Sequence, residues 1–462
     1  MASPFYLGAE LDALADSKDE NQVQDLTSSP TPAADTPNTG EIGPPPDGGT
    51  TAWLAVVGGW CCLFASFGWI TCIGVFQAHY EQNQLRQYSP ALIGWIPSVE
   101  TFFLFVGAPL VGKVFDSYGP RPLLIVGTLF HVLGLMILSL CKQYYQFFLA
   151  QSVCSAMGAS AVFWAANNAV GTWFGSKRGL AMGIMSAGSS VGGVVGTAAL
   201  PTMITNLGFG WAVRIMGFIY LALLSVALFT VKSRLNHTPS KLSLSEFVMP
   251  MKQWSVVSLA ISGFLFFLGV FLPYNFLVVE AEASGMDGSM ANNLLVILSA
   301  TSVCGRIVPG WAGDAYGRFN VTIVFTLLSS LFTLAIWLPA NNGATRMAFA
   351  GLYGFSSGTF VSMIPTLIVQ ICPDMTRIGL YMGAVYIIQS PTIMISQPVG
   401  GSLAGQPGLH MMWMKVFAGL AMFAGGLMFM VARAAHLKNR KRTAAGEGGV
   451  TELLIFKLLE RA

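Results

Sequence analysis

The chain has 462 residues, 54% of them hydrophobic and only 10% charged, with a net charge of +3 and a mean hydropathy of +0.62. Soluble domains carry about 25% charged residues, so the composition excludes a string of water-soluble domains, and so small a net charge excludes a nucleic-acid-binding protein. The 51 glycines suit helices that approach one another closely in lipid.

Residues 1–50 differ from the rest. Acids recur from Glu10 to Asp47 against one base, Lys18, among frequent Pro, Ser, Thr and Asp. Such a segment cannot bury enough apolar surface to fold and reads as a disordered acidic cytosolic tail. It lacks the charged start and apolar core of a cleaved signal peptide.

Twelve apolar runs follow, near 53–77, 91–112, 122–140, 146–170, 179–200, 213–231, 254–279, 292–312, 320–340, 346–370, 378–404 and 411–431. Each approaches the ~20 residues needed to cross the hydrocarbon of a bilayer. The expected fold class is therefore an all-α polytopic membrane protein with twelve transmembrane helices. Proline within a run, as at Pro97, Pro273 and Pro365, is tolerated where neighbours satisfy the freed carbonyls. At Pro273 a local break would expose backbone carbonyls beside Tyr274 and Asn275. After the last run, residues 434–462 read as a basic cytosolic tail ending in a short amphipathic segment, Thr451 to Ala462, too short to span and suited to a membrane surface.

Lys and Arg set the orientation. With both termini inside, the inner loops hold Lys113, Arg121, Lys177, Arg178, Lys232, Arg234, Lys241, Lys252, Arg318 and Arg377, and the C-terminal flank adds Arg433, Lys438, Arg440, Lys441 and Arg442. The outer edges hold only Arg86, Lys142, Arg214, Arg346 and Lys415. Both termini are expected in the cytosol of an integral multi-pass protein.

The sequence repeats itself roughly 200 positions on. Gly112-Lys-Val-Phe-Asp116-Ser-Tyr-Gly119 matches Gly310-Trp-Ala-Gly-Asp314-Ala-Tyr-Gly317, and Lys177-Arg-Gly179-Leu180-Ala-Met182-Gly183 matches Arg377-Ile-Gly379-Leu380-Tyr-Met382-Gly383. Gly158 pairs with Gly358. The repeats fall at equivalent places in the run order, which predicts two pseudo-symmetric six-helix bundles, 51–231 and 254–433, joined by a cytosolic linker at 232–253. A substrate site is expected near the midplane between such halves.

Those repeats also carry a resemblance. Gly112 to Arg121, as Gly-x-x-x-Asp-x-x-Gly-x-Arg, resembles the loop signature of the major facilitator superfamily. Within it, Asp47-Gly48-Gly49 before the first run and Trp173-Phe174-Gly175-Ser176-Lys177-Arg178-Gly179-Leu180-Ala181-Met182-Gly183 at the fifth are similar to two signatures of the monocarboxylate-porter family. Gly305-Arg306-Ile-Val-Pro309-Gly310 and Gly354-Phe355-Ser356-Ser357-Gly358 look like its fungal branch. The resemblance implies the major facilitator fold, alternating access, a plasma-membrane location and no cofactor. It further implies that Asp116 and Arg121 form a cytosolic gate, with Asp314 and Arg318 as a degenerate copy. Thr71 stands where animal lactate porters have a lysine, and Ser302 where they have an acid. This favours a bulkier organic acid or acidic amphipathic metabolite, with efflux of a fungal polyketide-type product as the implied function. Proton-coupled uptake of a monocarboxylate or vitamin is the alternative, and a non-transporting membrane sensor is the rival of another class.

Individual residues follow from cost. Arg306 lies inside the eighth run, and a charge there costs at least ~2.5 kcal/mol on insertion scales unless it meets a cavity or partner. Its planar fork suits a carboxylate, so the expected substrate is anionic. Asn167, Asn168, Tyr274 and Asn275 are further substrate-binding candidates, with hydrogen bonding between helices as the favoured alternative. Glu100 is the proton-coupling candidate, with a structural acid bonded to the eleventh run as the alternative. Counting back from Asp116 and Asp314 separates Glu100 from Arg306 by roughly 12 Å along the helix axis, beyond ion-pair reach. His131 reads as a satisfied helix contact. Gly188, Gly192 and Gly196 give the fifth run a smooth packing face. The five His are scattered without a His-x-x-x-His pair, the seven Cys lack paired spacing and read as buried small residues, and there is no phosphate loop. No metal site and no enzyme are expected.

Overall fold

The computed structural model describes residues 43–239, 244–404 and 411–446. The chain divides into two units, Met1–Pro44 and Pro45–Ala462, and every helix among the described residues belongs to the second. The expected acidic tail falls almost wholly outside the described residues, as does the amphipathic segment at 451–462.

Twelve helices are long and apolar enough to cross a membrane: α1 Thr50–Gln82, α2 Trp95–Tyr118, α3 Pro120–Leu138, α4 Tyr144–Trp173, α5 Arg178–Leu207, α6 Phe209–Thr230, α7 Trp254–Ala283, α8 Met290–Tyr316, α9 Arg318–Trp337, α10 Gly343–Ile371, α11 Met375–Ala404 and α12 Met412–Lys441. Helix is the expected outcome because an apolar run in hydrocarbon must satisfy every backbone donor and acceptor internally. The sequence places all twelve, but with most ends drawn short, since several first and last turns are polar, and with a few, such as those at 91, 140 and 340, drawn long. The helix of α12 continues to Gly446, so residues 434–446 extend the last helix where a separate tail was expected.

α1 starts and α12 ends at the same face, called here the tail end; the opposite face is the far end. In the first half α5 and α6 pack on α1, and α3 on α4; in the second α12 packs on α7 and α9, and α8 on α10. Across the halves, α5 packs on α8 and α2 on α11. Glycine makes both crossings possible. A Cβ on Gly112 would overlap the Gly379 carbonyl oxygen, and one on Gly179 would overlap that of Gly310. These are repeat-related residues, so duplication built one close crossing twice.

Helix continuity differs from expectation. α7 runs unbroken through Pro273. The interruptions lie instead at Ser66 and Thr71–Cys72 in α1, Gly107 in α2 and Gly358 in α10. Large apolar side chains such as Leu129, Phe218, Phe229 and Leu420 are exposed, as lipid-facing residues should be. Of the seven free cysteines, Cys304 is exposed, an exception to the burial expected of all of them. His131 is fully buried, its Nε2 at 3.0 Å from the Ala65 carbonyl and its Nδ1 at 2.9 Å from Ser155 Oγ.

Candidate transport site

At the tail end, each half reaches into the other with a carboxylate. Asp116 at the end of α2 accepts from the backbone N–H groups of Gly379 and Leu380, both at 2.9 Å. Asp314 at the end of α8 accepts from those of Gly179 and Leu180, both at 2.8 Å. These donors are first-turn amides of α5 and of the α-helical part of α11, which begins at Ile378 after a 3-10 turn at Met375–Arg377, where the helix dipole favours an anion. Arg318 donates to Asp314 at 2.8 Å and to the Gly175 carbonyl at 2.5 Å. The second copy is thus as complete as the first rather than degenerate. Arg121 is exposed at the start of α3 and takes no part in these contacts among the described residues.

The signature segments brace this closure. Asp47 Oδ1 accepts from the N–H of Gly175 at 2.5 Å and of Lys177 at 3.2 Å. Burial alone would raise the Asp47 carboxyl, but the amides of Ser176, Gly175 and Lys177 outweigh it and hold it below the usual value of 3.8. Gly49, at φ +91°, turns the chain from there into α1, and Gly48 precedes it. Trp173 donates its indole N–H to the Lys232 carbonyl at 2.7 Å, Phe174 meets Trp53 edge-on at 5.2 Å, and Arg178 Nε donates to the Phe174 carbonyl at 2.7 Å.

Toward the far end the halves part around a cavity of about 600 Å³. Its walls come from the far halves of α1, α2, α7 and α11, with α8 and α10 below. Phe67, Trp95, Phe271, Phe276 and Phe360 supply aromatic surface; Thr71, Gln77, Ser98, Thr101, Tyr274, Asn275 and Gln397 supply polar groups. Among the described residues that line it, Arg306 alone is charged. The cavity is closed at the tail end and lies on the far side of the molecule.

Arg306 is held by α5. Its Nη1 donates to the Ser186 carbonyl at 2.5 Å and to Ser189 Oγ, and its guanidinium lies 6.0 Å from the Phe67 ring centre. Gly183 permits this approach, since a Cβ there would sit 2.5 Å from the Arg306 carbonyl. Nε has no hydrogen-bond partner among the described residues, and the hydrogen bonds Arg306 makes among them both use Nη1 rather than Nη2. One edge of the fork is engaged and the other is not.

The other candidates divide. Tyr274 and Asn275 line the cavity; Tyr274 Oη lies 3.4 Å from Ser357 Oγ, and Asn275 donates to the Phe271 carbonyl at 3.0 Å. Asn167 and Asn168 are buried in α4 outside it. Asn167 Oδ1 and both amide atoms of Asn168 lack partners among the described residues. Glu100 does not meet Arg306: its carboxylate accepts from Trp69 Nε1 at 2.8 Å and Gln151 Nε2 at 2.7 Å. No cluster of metal-ligating side chains occurs among the described residues.

One group escapes the sequence reading. Glu280 accepts from Arg346 at 2.9 Å and Lys415 at 3.0 Å, all three nearly fully buried, and so ties α7, α10 and α12 together at the far end. The available signal is an acid ending one run opposite two outer bases that otherwise read as topology charges.

A fold of twelve helices in two repeated halves, closed by paired carboxylates, has sequence relatives. The profile of the Major Facilitator Superfamily matches residues 58–279 and again 259–461. The chain belongs to the major facilitator superfamily. It is 44% identical over 388 residues to "MFS-type transporter 1" of Ophiocordyceps sp., covering 84% of this chain and 86% of that one. It is 39% identical over 397 residues to the "Fujikurins efflux protein" of Gibberella fujikuroi, covering 86% and 85%. In fold it is similar to the human organic anion transporter MFSD10, with a TM-score of 0.68 at 14% identity, covering 84% of this chain and all of that one. This superfamily member is therefore an integral, multi-pass membrane transporter of a small molecule, and not an enzyme.

Proposed function

We propose that this transporter exports a fungal polyketide-type secondary metabolite bearing a carboxylate or similar acid, by alternating access. The free Nε–Nη2 edge of Arg306 carries the reading. A guanidinium whose second edge is unpaired at a cavity wall is preorganised for a two-point hydrogen bond to an oxyanion, while the aromatic walls receive an apolar body. Thr71, bonded to the Gly68 carbonyl at 2.6 Å, offers no second cation, which favours one delocalised anion over a compact one. Asn167 and Asn168 are proposed to meet substrate or water when the tail end opens, since an unpaired buried amide costs about 1–3 kcal/mol. Glu100 is proposed to bind the coupling proton.

In this reading the chain is monocarboxylate-porter-like, sits in the plasma membrane with both termini cytosolic, and is built as bundles 51–231 and 254–433 around the linker 232–253. Metabolite profiling of cells and medium, with and without the protein and with Arg306→Ala, tests it. An acidic metabolite should move from cells to medium only with the wild-type chain. Full export by Arg306→Ala, or only neutral and cationic products, would refute the anion site.

A further inference from the structure

Among the described residues, the other buried or half-buried carboxylates that tie the helices together have charged or helix-terminal partners: half-buried Asp116 and Asp314 take helix N-termini, and buried Glu280 takes Arg346 and Lys415. Glu100 has neither. It is 1% exposed, in the second turn of α2, and both its oxygens face neutral donors, Trp69 Nε1 and Gln151 Nε2. An uncompensated carboxylate in a membrane interior exchanges a proton more readily than it keeps its charge.

Gln151 is the second observation. It lies in a π-helical stretch of α4, Phe148–Ser155, a distortion that often marks functional sites. Its Nε2 donates to Glu100, and its Oε1 accepts from Tyr80 Oη at 2.7 Å. Tyr80 sits on the far segment of α1, beyond the break at Thr71–Cys72, in a box of Phe76, Phe147 and Phe209. That segment also gives Ile73, Gly74 and Gln77 to the cavity wall. Trp69 lies just before the break. Glu100 therefore grips α1 on both sides of its hinge, directly through Trp69 and indirectly through Gln151 and Tyr80.

Resting on the reading of Glu100 as the proton-binding group, we propose that the Gln151 amide senses the charge state of Glu100 and transmits it to the far segment of α1. With Glu100 ionised, the donors run toward it, Tyr80 to Gln151 to Glu100. When a proton from a solvent hydronium adds to Oε2, an O–H meets the N–H of Gln151 and the contact becomes donor against donor. A half-turn of the amide restores both bonds with reversed polarity: Glu100 donates to Oε1, and Nε2 donates to Tyr80 Oη. The Tyr80 hydroxyl proton must then leave Gln151 and turn to another acceptor, so the charge state of Glu100 is felt in the segment that walls the cavity. The one covalent exchange is transfer of a proton from that hydronium to Oε2: an O–H of the hydronium breaks, leaving water, and an O–H forms at Glu100.

The titratable groups facing the site are Cys72 and Tyr80 on α1 and Tyr220 on α6, with Cys141 beyond Tyr80. His131 on α3 stacks on Tyr220 at 5.6 Å with both ring nitrogens engaged. None of these makes an ion pair with Glu100.

The test is pH-induced difference infrared spectroscopy of the purified full-length chain in lipid nanodiscs, reading the C=O stretch of a protonated carboxyl. Glu100→Gln identifies the Glu100 band by its loss. Gln151→Leu removes the acceptor for the protonated carboxyl and should move that band to higher wavenumber. Tyr80→Phe, which keeps the aromatic box, should shift it less, through the reoriented amide. Should no band depend on Glu100 at any pH where the chain stays folded, the proton-binding reading fails. A Glu100 band unmoved by both Gln151→Leu and Tyr80→Phe leaves that reading standing and overturns the amide switch.

Discussion

At the scale of single residues, charge in an apolar setting is the most readable feature of the sequence. Arg306 stands out because nothing else in its run is charged, and Asp116 and Asp314 because the repeat marks them. Their partners are not readable. Ser186, Ser189 and Gln151 are ordinary polar residues in sequence, and only packing brings them to Arg306 and Glu100. The geometry at Arg306 makes a sharp demand on chemistry. A lysine keeps the charge but has a single ammonium and no planar fork. Arg306→Lys should therefore reduce export of the acidic product about tenfold, the effect of losing ~1.4 kcal/mol, measured as efflux per molecule at the membrane. Equal efflux would mean that charge alone suffices. The twin carboxylates make a different demand. Asp116→Asn and Asp314→Asn should slow transport by similar factors at normal abundance, because each removes a charge-assisted contact to a helix start, worth ~1.5–3 kcal/mol. A loss confined to Asp116→Asn would restore the unequal roles expected from the sequence.

At the scale of elements, the runs are legible because hydrocarbon thickness fixes their length, whereas breaks within them are not. Proline at 273 promises a break that α7 does not show, while α1 breaks at Thr71–Cys72 without proline. A break needs a neighbour to satisfy the freed groups, and that is a property of packing. The segment before α1 illustrates how packing gives a short motif its role. Asp47 ties it to the turn entering α5, and that turn is in turn held by Arg318. Its folded-state proton affinity lies below the unfolded one, so its stabilisation is complete above the ordinary Asp value and fades as pH falls through the lower folded value. Asp47→Ala should cost about 1 kcal/mol at neutral pH, as loss of a cap does. The difference from wild type in thermal unfolding should shrink on acidification below pH 3.8. A gap that persists unchanged at low pH would show that the Asp47 charge is not what holds the turn.

At the scale of the whole molecule, the internal repeat says more than any local motif. It predicts two halves, and the structure shows those halves crossing at matched glycines and exchanging matched carboxylates. The asymmetry of bases adds an expected orientation, with both termini in the cytosol. Reporters fused at Met1 and Ala462 should both respond as cytosolic, and a response from one alone would sink either the orientation or the helix count. The reciprocal contacts at the tail end have a further consequence. Each half offers a carboxylate and receives one, so neither depends on the peptide link between them to recognise its counterpart. The two pieces carry their own address for each other. Cut within 240–243 and produced as separate polypeptides in one membrane, they should find one another and co-purify, and loss of both Asp116 and Asp314 should weaken that reunion more than loss of either.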